Sequence, residues 1–429
     1  MQGDKTMKRY LSLFCCAALA ASAFSSGGCA GKKTEIDYDV PDVTMENCLL
    51  NTEELFSVLP ETDFVVSHDE RVDGYMMTGA ETSFGTSSAF FWIGKPEGEM
   101  PDGGFPAVLL LHGGGGNAFT EWVKHWLDLG YVALAIDLNG QRFDEDGFLV
   151  SNPYFYHSGS WGSVGCGTDE KSFCDSWTGV NLTHCVLAHN YLRSLSFVNP
   201  EKTVATGISW GGYLTCMLAG IDKRFRAFAP VYGCGSLTTD SWGLSTAGLS
   251  SLDEKGREEW EKVYDPLSYL PYATRPMLFV AGMTDHAFSC VSRKKSTELV
   301  KGKTFFAYSS SLEHGHYFGI TPSVDSFFGK VLAREPLDAS FADWEVREGK
   351  LFVKTRGVFD YVSLSYTVSE EEDSHLWSWS NKEVVLQEGE NEIVLPENAT
   401  AVLLTGYGAG PYAEARTDVV FLKDISLFR

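Results

Sequence analysis

From Phe105 onward the chain alternates continuous apolar runs with segments of helical spacing. "PAVLLLHG" (106–113), "YVALAIDL" (131–138), "KTVATGIS" (202–209), "RAFAPVYG" (226–233), "PMLFVAGM" (276–283) and "TFFAYSSS" (304–311) are apolar without alternation. Such runs predict strands covered on both faces. Between them, "FTEWVKHWLDLG" (119–130), "DSWTGVNLTHCVLAHNYLRSL" (175–195) and "GYLTCMLAGI" (212–221) space their apolar residues as helices do. Strand–helix alternation of this kind predicts a parallel sheet with helices on both faces. Ahead of it, "TDFVVSH", "GYMMTGAE" and "SAFFWIGKP" predict an antiparallel meander. After about Leu332 the pattern changes to short strands divided by turn residues, from "FADWEVREGKLFVKTRG" to "TDVVFLKD", which predicts a small all-β sandwich.

Two stretches interrupt the alternation. Residues 140–174 are rich in aromatics and glycine, and residues 236–264 are polar. Insertions of this length in an α/β protein build a substrate cleft or a lid.

The first residues hold Lys5, Lys8 and Arg9 ahead of an apolar stretch, Leu11 to Phe24, followed by small residues. This is an export signal over residues 1–28, too short to span a membrane as a mature helix. "SSGGC" supports two outcomes: lipidation at Cys29, with membrane attachment through the lipid, or ordinary cleavage nearby. Either places the mature chain in the periplasm or at the cell surface. Residues 29–60 read as a tether with one short helix, residues 61–333 as the α/β catalytic domain and residues 334–429 as the sandwich.

A formal charge of −23 excludes nucleic acid as a partner. The cysteines form no CxxC pair, so a structural zinc is not expected. Cys166 and Cys174 share one loop and are expected to form a disulfide if the chain is exported. Cys185, Cys216 and Cys234 fall in apolar segments and are expected as buried thiols.

The chemistry concentrates in "TGISWGG". Ser209 sits between glycines where a predicted strand meets a predicted helix. A tight turn there lifts the hydroxyl above the sheet, and the Trp210 N–H and the helix N-terminus face the same spot. "HGGGGN" follows an earlier strand and lacks the GK[ST] ending of a phosphate loop. It offers the Gly114 or Gly115 N–H as the second oxyanion donor, with His112 anchoring the loop. Asp285 and His314 each follow a strand and complete the order Ser, Asp, His. The acid would hold the imidazole tautomer, and the imidazole would carry the Ser209 proton to the leaving group. His316 is the alternative base. Asp137 is expected to organise the loop beside it. No cofactor or metal is expected.

"PAVLLLHGGGG", "YVALAIDLNGQ", "TGISWGGYLTCMLAGIDKRFRAFAPVYGCG", "PMLFVAGMTDHAF" and "EHGHYFG" together resemble the α/β-hydrolases of the prolyl oligopeptidase and dienelactone hydrolase group, and among them exported acetylxylan esterase-like proteins. The resemblance spans about residues 64–333 and implies a Ser209–Asp285–His314 triad that needs no metal. Too little chain precedes residue 100 for the propeller of true prolyl oligopeptidases. The expected substrate is an acylated carbohydrate or other small ester, with Trp161, Trp177 and Trp210 as stacking residues. A peptidase would need an acidic anchor for a peptide terminus, for which Asp169 and Glu170 are available. A third reading, a binding protein on this scaffold, is disfavoured by the intact triad set.

Overall fold

The computed structural model describes residues 37–428, except 39, 310–311, 316–321, 337–338 and 409–413. The expected signal segment, Cys29 and His316 lie outside the described residues. The described residues belong to one compact unit.

Nine strands of the described residues form the main sheet: β1 (Thr62–Asp69), β2 (Val72–Thr82), β3 (Gly85–Gly94), β4 (Phe105–Leu111), β5 (Val132–Ile136), β6 (Val198–Ile208), β7 (Ala227–Val231), β8 (Met277–Gly282) and β9 (Thr304–Ser309). Their order across the sheet is β1-β2-β3-β5-β4-β6-β7-β8-β9. The first three strands and the β3–β5 pair are antiparallel, and the rest are parallel. β4, β5, β7, β8 and β6 from Thr203 onward are the continuous apolar runs, and their side chains are almost wholly buried because helices cover the sheet. The crossing of β5 past β4 creates a switch in strand order, and ligands bind outside the C-terminal strand ends at such points.

Helix Thr120–Asp128 presents Trp122, Val123, Trp126 and Leu127 to the core. It meets helix Pro322–Leu332 through Trp126 and Phe328 and through His125, whose Nε2 is 3.1 Å from Asp325. Helices Trp177–Ser194 and Trp210–Ile221 are buried along nearly their full length, which explains their weak amphipathic pattern.

The sandwich consists of a three-stranded sheet (Ser340–Arg347, Lys350–Arg356, Gly389–Val394) and a second sheet built on Tyr361–Thr367 and Ala401–Tyr407. Strand Ala401–Tyr407 divides its alternate residues between two cores. Val402 and Leu404 join Leu351, Val353 and Leu364 inside the sandwich, while Ala401 and Leu403 belong to the main core. Asp418 pins the junction: its carboxylate accepts from Thr297 at 2.6 Å and lies 3.3 Å from the Lys294 ammonium and the Tyr308 hydroxyl.

Two sequence expectations need correcting. Residues 37–60 are not a free tether where they are described. Tyr38 and Leu50 are buried in the main core, and the Asp42 carboxylate accepts from Thr274 at 2.9 Å and pairs with Arg275 at 3.2 Å. The short helix is present at Thr52–Ser57. Cys166 and Cys174 are free thiols, not a disulfide. The helix Glu170–Asp175 carries Cys174 toward the Leu49 carbonyl, 3.8 Å from its Sγ, while Cys166 Sγ lies 3.7 Å from Ser158 Oγ.

A polar cluster built on the fully buried His189, Asp222 and Thr203 secures the end of the sheet away from the strand C-termini. His189 places Nδ1 2.8 Å from Asp222 and Nε2 2.8 Å from the Thr203 hydroxyl. Arg224 donates to both Asp222 oxygens, at 2.8 and 2.6 Å, and stacks on Phe56 at 3.9 Å. Burial opposes ionisation of Asp222, but His189 and Arg224 outweigh it and hold the acid below the usual carboxylate range. Burial lowers the His189 pKa, partly offset by Asp222. Both groups bind protons more readily when unfolded, so both contributions are lost as pH falls. The loss begins below about pH 6.5 for His189 and below about pH 4 for Asp222, the unfolded values. Asp222→Asn is expected to cost about 3–5 kcal/mol at neutral pH. Urea unfolding at successive pH values should show the variant losing less stability than the wild type below about pH 4, where the wild-type carboxylate is protonated.

Candidate active site

Ser209 stands between β6 and helix Trp210–Ile221 with φ +56° and ψ −118°. A non-glycine residue in that region is strained, and the surrounding packing enforces it. A Cβ on Gly211 would lie 2.0 Å from the Leu111 carbonyl oxygen, and one on Gly207 would lie 2.3 Å from that of Gly211. Only glycine allows the helix to approach β4 so closely. The Ser209 N–H is held by the Val231 carbonyl at 2.9 Å, so the turn is tied into the sheet.

The three residues from separate strand ends meet. His314 Nε2 is 2.9 Å from Ser209 Oγ, and His314 Nδ1 is 3.2 and 3.1 Å from the two Asp285 oxygens. Asp285 is buried. Its Oδ1 also accepts from the Ala287 and Phe288 N–H groups, at 2.8 and 3.0 Å. Burial works against its charge, but the His314 hydrogen bond, the Phe288 N–H and nearby Arg293 outweigh it and hold the pKa below the ordinary value. The acid therefore stays ionised, accepts from Nδ1–H, and leaves the Nε2 lone pair on Ser209. The imidazole is boxed by Phe288, stacked at 6.1 Å, Tyr232 at 5.0 Å and His286 at 5.4 Å.

Trp210 opens the helix, so its N–H is one of the first-turn donors, at the positive end of the helix dipole. Its indole is buried against Trp177, Tyr213 and Trp242 and so cannot stack on a ligand. Gly114 faces it: a Cβ there would sit 2.6 Å from the Trp210 ring and 3.2 Å from that of Trp161. Gly115 is exposed, with open space beside it. The glycine loop is clamped from behind. His112 Nε2 accepts the Leu138 N–H at 2.8 Å, which leaves Nδ1 to donate to the Gly113 carbonyl at 2.7 Å. Asp137 accepts from the Asn139 and Gln141 N–H groups, at 3.1 and 2.7 Å.

Sequence reasoning missed Asn139. Its amide donates to the Gly114 and Gly116 carbonyls at 2.7 and 2.9 Å, and its oxygen accepts the Trp161 indole N–H at 3.2 Å. One side chain thus couples the oxyanion loop to the aromatic insertion. Arg293 was missed as well. It is fully buried behind Asp285, donates to the Phe288 and Gly282 carbonyls, and stacks on Tyr308 at 4.8 Å.

The two insertions form a single wall. Trp260 donates to the Gly162 carbonyl at 2.8 Å, and the Tyr264 hydroxyl donates to that of Gly167 at 2.6 Å. Beside the glycine loop lies a cavity of about 460 Å³ lined by Gly114, Gly115, Asn139, Gln141, His157, Ser160 and Trp161, with Trp177 at its edge. Trp161 is 45% exposed there. Trp177 is buried, its indole donating to the Leu138 carbonyl at 3.1 Å, so it is a core residue and offers no face for stacking. Asp169 caps helix Glu170–Asp175 through the Ser172 N–H. Among the described residues no group of three or more His, Cys, Asp or Glu could hold a metal ion.

Residues 162–320 match the prolyl oligopeptidase family, and residues 56–239 match acetyl xylan esterase. Dipeptidyl-peptidase 5 of Schizosaccharomyces pombe is 28% identical over 209 residues, covering 46% of this chain and 27% of that protein. Dipeptidyl-peptidase 5 of Porphyromonas endodontalis is 21% identical over 226 residues, covering 52% of this chain and 30% of that protein. The matched regions thus span less than a third of these relatives. Among solved structures, acetyl xylan esterase from Paenibacillus sp. R4 superposes with a TM-score of 0.54 at 17% identity, covering 70% of this chain and 98% of that one. That likeness is one of fold.

Proposed function

We propose that this chain, an α/β-hydrolase of the group spanning prolyl oligopeptidase-like peptidases and acetyl xylan esterases, is an exported serine esterase that removes acetyl or similar small acyl groups from a carbohydrate. The observation that carries the reading is the hydrogen-bonded chain from Ser209 through His314 to Asp285, together with a cavity at the glycine loop that holds no carboxylate among the described residues.

Ser209 Oγ attacks the ester carbonyl while His314 Nε2 takes its proton. The carbonyl oxygen, now an oxyanion, is held by the Trp210 N–H and by an N–H of the glycine loop at Gly114 or Gly115. As the tetrahedral intermediate collapses, His314 returns the proton to the leaving sugar oxygen, and the acyl group stays on Ser209. Water, deprotonated by His314, then releases the acid. Asp285 holds the tautomer throughout and stabilises the imidazolium.

The neutral cavity favours ester over dipeptide. A peptide amino terminus carries a positive charge, and burying that charge without a carboxylate partner is costly. A sugar needs an aromatic face and neutral hydrogen-bonding groups. Trp161, Asn139, Gln141 and Ser160 provide both. The peptidase reading rests on the dipeptidyl-peptidase relatives. Turnover of acetylated xylo-oligosaccharide beside a dipeptidyl reporter decides between them. Acetate release with an inert dipeptidyl reporter is expected; the opposite pattern would make the chain a peptidase. Trp161→Ala should raise KM for the oligosaccharide about tenfold. It should leave p-nitrophenyl acetate turnover nearly unchanged, because that ester has no sugar to cover.

A further inference from the structure

The loop that offers the second oxyanion donor is a run of glycines, Gly113 to Gly116. Without Cβ atoms, a peptide plane between two such residues can rotate and reverse its N–H at little steric cost. A donor on this backbone stabilises an oxyanion only if its plane is fixed before the charge develops.

Contacts to the carbonyls fix it. A trans peptide is planar, so the N–H of one residue points opposite to the carbonyl of the residue before it. The Gly113 carbonyl accepts from His112 Nδ1 at 2.7 Å and from the Gly116 N–H at 2.9 Å, which sets the direction of the Gly114 N–H. The Gly114 carbonyl accepts from Asn139 Nδ2 at 2.7 Å, which sets that of the Gly115 N–H. The same amide reaches the Gly116 carbonyl at 2.9 Å, so one side chain clasps the loop on both sides of Gly115. A Cβ on Gly114 would strike Trp210 and crowd Trp161, whereas one on Gly115 would meet open space. Packing locates the first, and the second relies on the clasp.

The orientation of the amide is itself determined. The Trp161 indole N–H can only donate, so at 3.2 Å it takes the amide oxygen and leaves both amide hydrogens for the two carbonyls. An ionised aspartate in the same place would accept from Trp161 but donate to neither carbonyl, and a leucine would do neither. The turn that carries Asn139 is anchored through Asp137, which accepts the Asn139 and Gln141 N–H groups. A donor on the Gly114 carbonyl also polarises its peptide group and strengthens the Gly115 N–H toward an anion.

We propose that Asn139 is a positioning residue for the oxyanion hole. By holding the Gly114 and Gly116 carbonyls it pre-orients the glycine-loop N–H that works beside that of Trp210. It acts through the loop and not on the reacting atoms. The proposal rests on Ser209 being the nucleophile of a serine hydrolase, and not on a sugar bearing the acyl group.

Asn139→Asp and Asn139→Leu test it, at a half-buried position on the cavity wall. Each should lower kcat for p-nitrophenyl acetate about 10–100-fold and leave KM within about twofold, because the lost alignment serves the transition state. The second readout is inhibition by a trifluoromethyl ketone, whose hemiketal with Ser209 carries an oxyanion like that of the tetrahedral intermediate. Its Ki should rise by the factor by which kcat/KM falls, while thermal midpoints stay near the wild-type value. Wild-type kcat in both folded variants would overturn the proposal, and so would a lower kcat with an unchanged Ki. Loss of the thermal transition in both variants would overturn it too, since the side chain is then a folding element. If the wild type is inert on acetyl esters, the esterase reading fails separately. The ketone Ki and the rate of fluorophosphonate labelling at Ser209 then decide this one, because the phosphoryl oxygen occupies the same hole. A wild type that neither binds the ketone nor labels would overturn both.

Discussion

Ser209→Ala is expected to lower kcat/KM for p-nitrophenyl acetate by about 10³–10⁵-fold, leaving only what the oxyanion donors and binding supply. The size of the effect follows from the geometry. Among the described residues, the Ser209 hydroxyl lies within hydrogen-bond reach of His314 Nε2, at 2.9 Å, and can form an acyl-enzyme. The substitution removes one oxygen and leaves the turn in place, because the glycines at 207 and 211 decide how closely the helix approaches β4. Folding should therefore be unaffected, and the strained φ of +56° persists with alanine. Two measurements check this: steady-state hydrolysis, and labelling by a fluorophosphonate that requires an activated serine. Loss of both with an unchanged thermal midpoint fits the assignment. A variant that retained wild-type turnover would move the nucleophile elsewhere and end the assignment of Ser209.

Much of this site was legible in the sequence because its parts are local. A buried parallel strand is a continuous apolar run, and the residues at its C-terminal end lie where ligands bind. Ser209, the glycine loop, Asp285 and His314 each occupy such an end, so finding the strands also found the residues. What was not legible depends on partners distant in sequence. Asn139 is an unremarked polar residue in "DLNGQ" until Gly114 and Trp161 fold against it. Arg293 lies on the helix Cys290–Thr297, where an arginine ordinarily faces water; its burial depends on the Gly282 and Phe288 carbonyls and the Tyr308 ring. Trp177 has the composition of a stacking residue, and only the Leu138 carbonyl above its indole N–H makes it core. In the sandwich, "HLWSWS" alternates as a strand should, yet Ser374–Leu376 is a short 3-10 turn. Trp377 is drawn inward by the Glu371 carbonyl and packs on Phe421 and Phe428. Periodicity records which side chains are buried, not which neighbour buries them.

Asp285→Asn should lower kcat by about 10³–10⁴-fold while the chain stays folded. The argument rests on which oxygen does what. Oδ1 accepts from the Ala287 and Phe288 N–H groups at 2.8 and 3.0 Å, and an amide oxygen can replace it there. That choice places the new NH₂ where Oδ2 now stands, 3.1 Å from His314 Nδ1. An NH₂ group donates, so Nδ1 must accept, and the ring proton moves to Nε2, facing Ser209 Oγ. The base is then protonated on the side where it should receive a proton, and the imidazolium it would form loses its counter-charge. Because the two backbone N–H groups keep their acceptor, stability should fall far less than activity, which unfolding in urea can check. The kinetic signature is specific: kcat falls, while KM for p-nitrophenyl acetate changes little, because Asp285 lies behind His314 and does not line the cavity beside the glycine loop. A variant within about tenfold of wild-type kcat at neutral pH would show that His314 takes its orientation from its ring neighbours Phe288, Tyr232 and His286 instead. The carboxylate would then be a structural group that accepts two loop N–H groups and offsets the buried charge of Arg293.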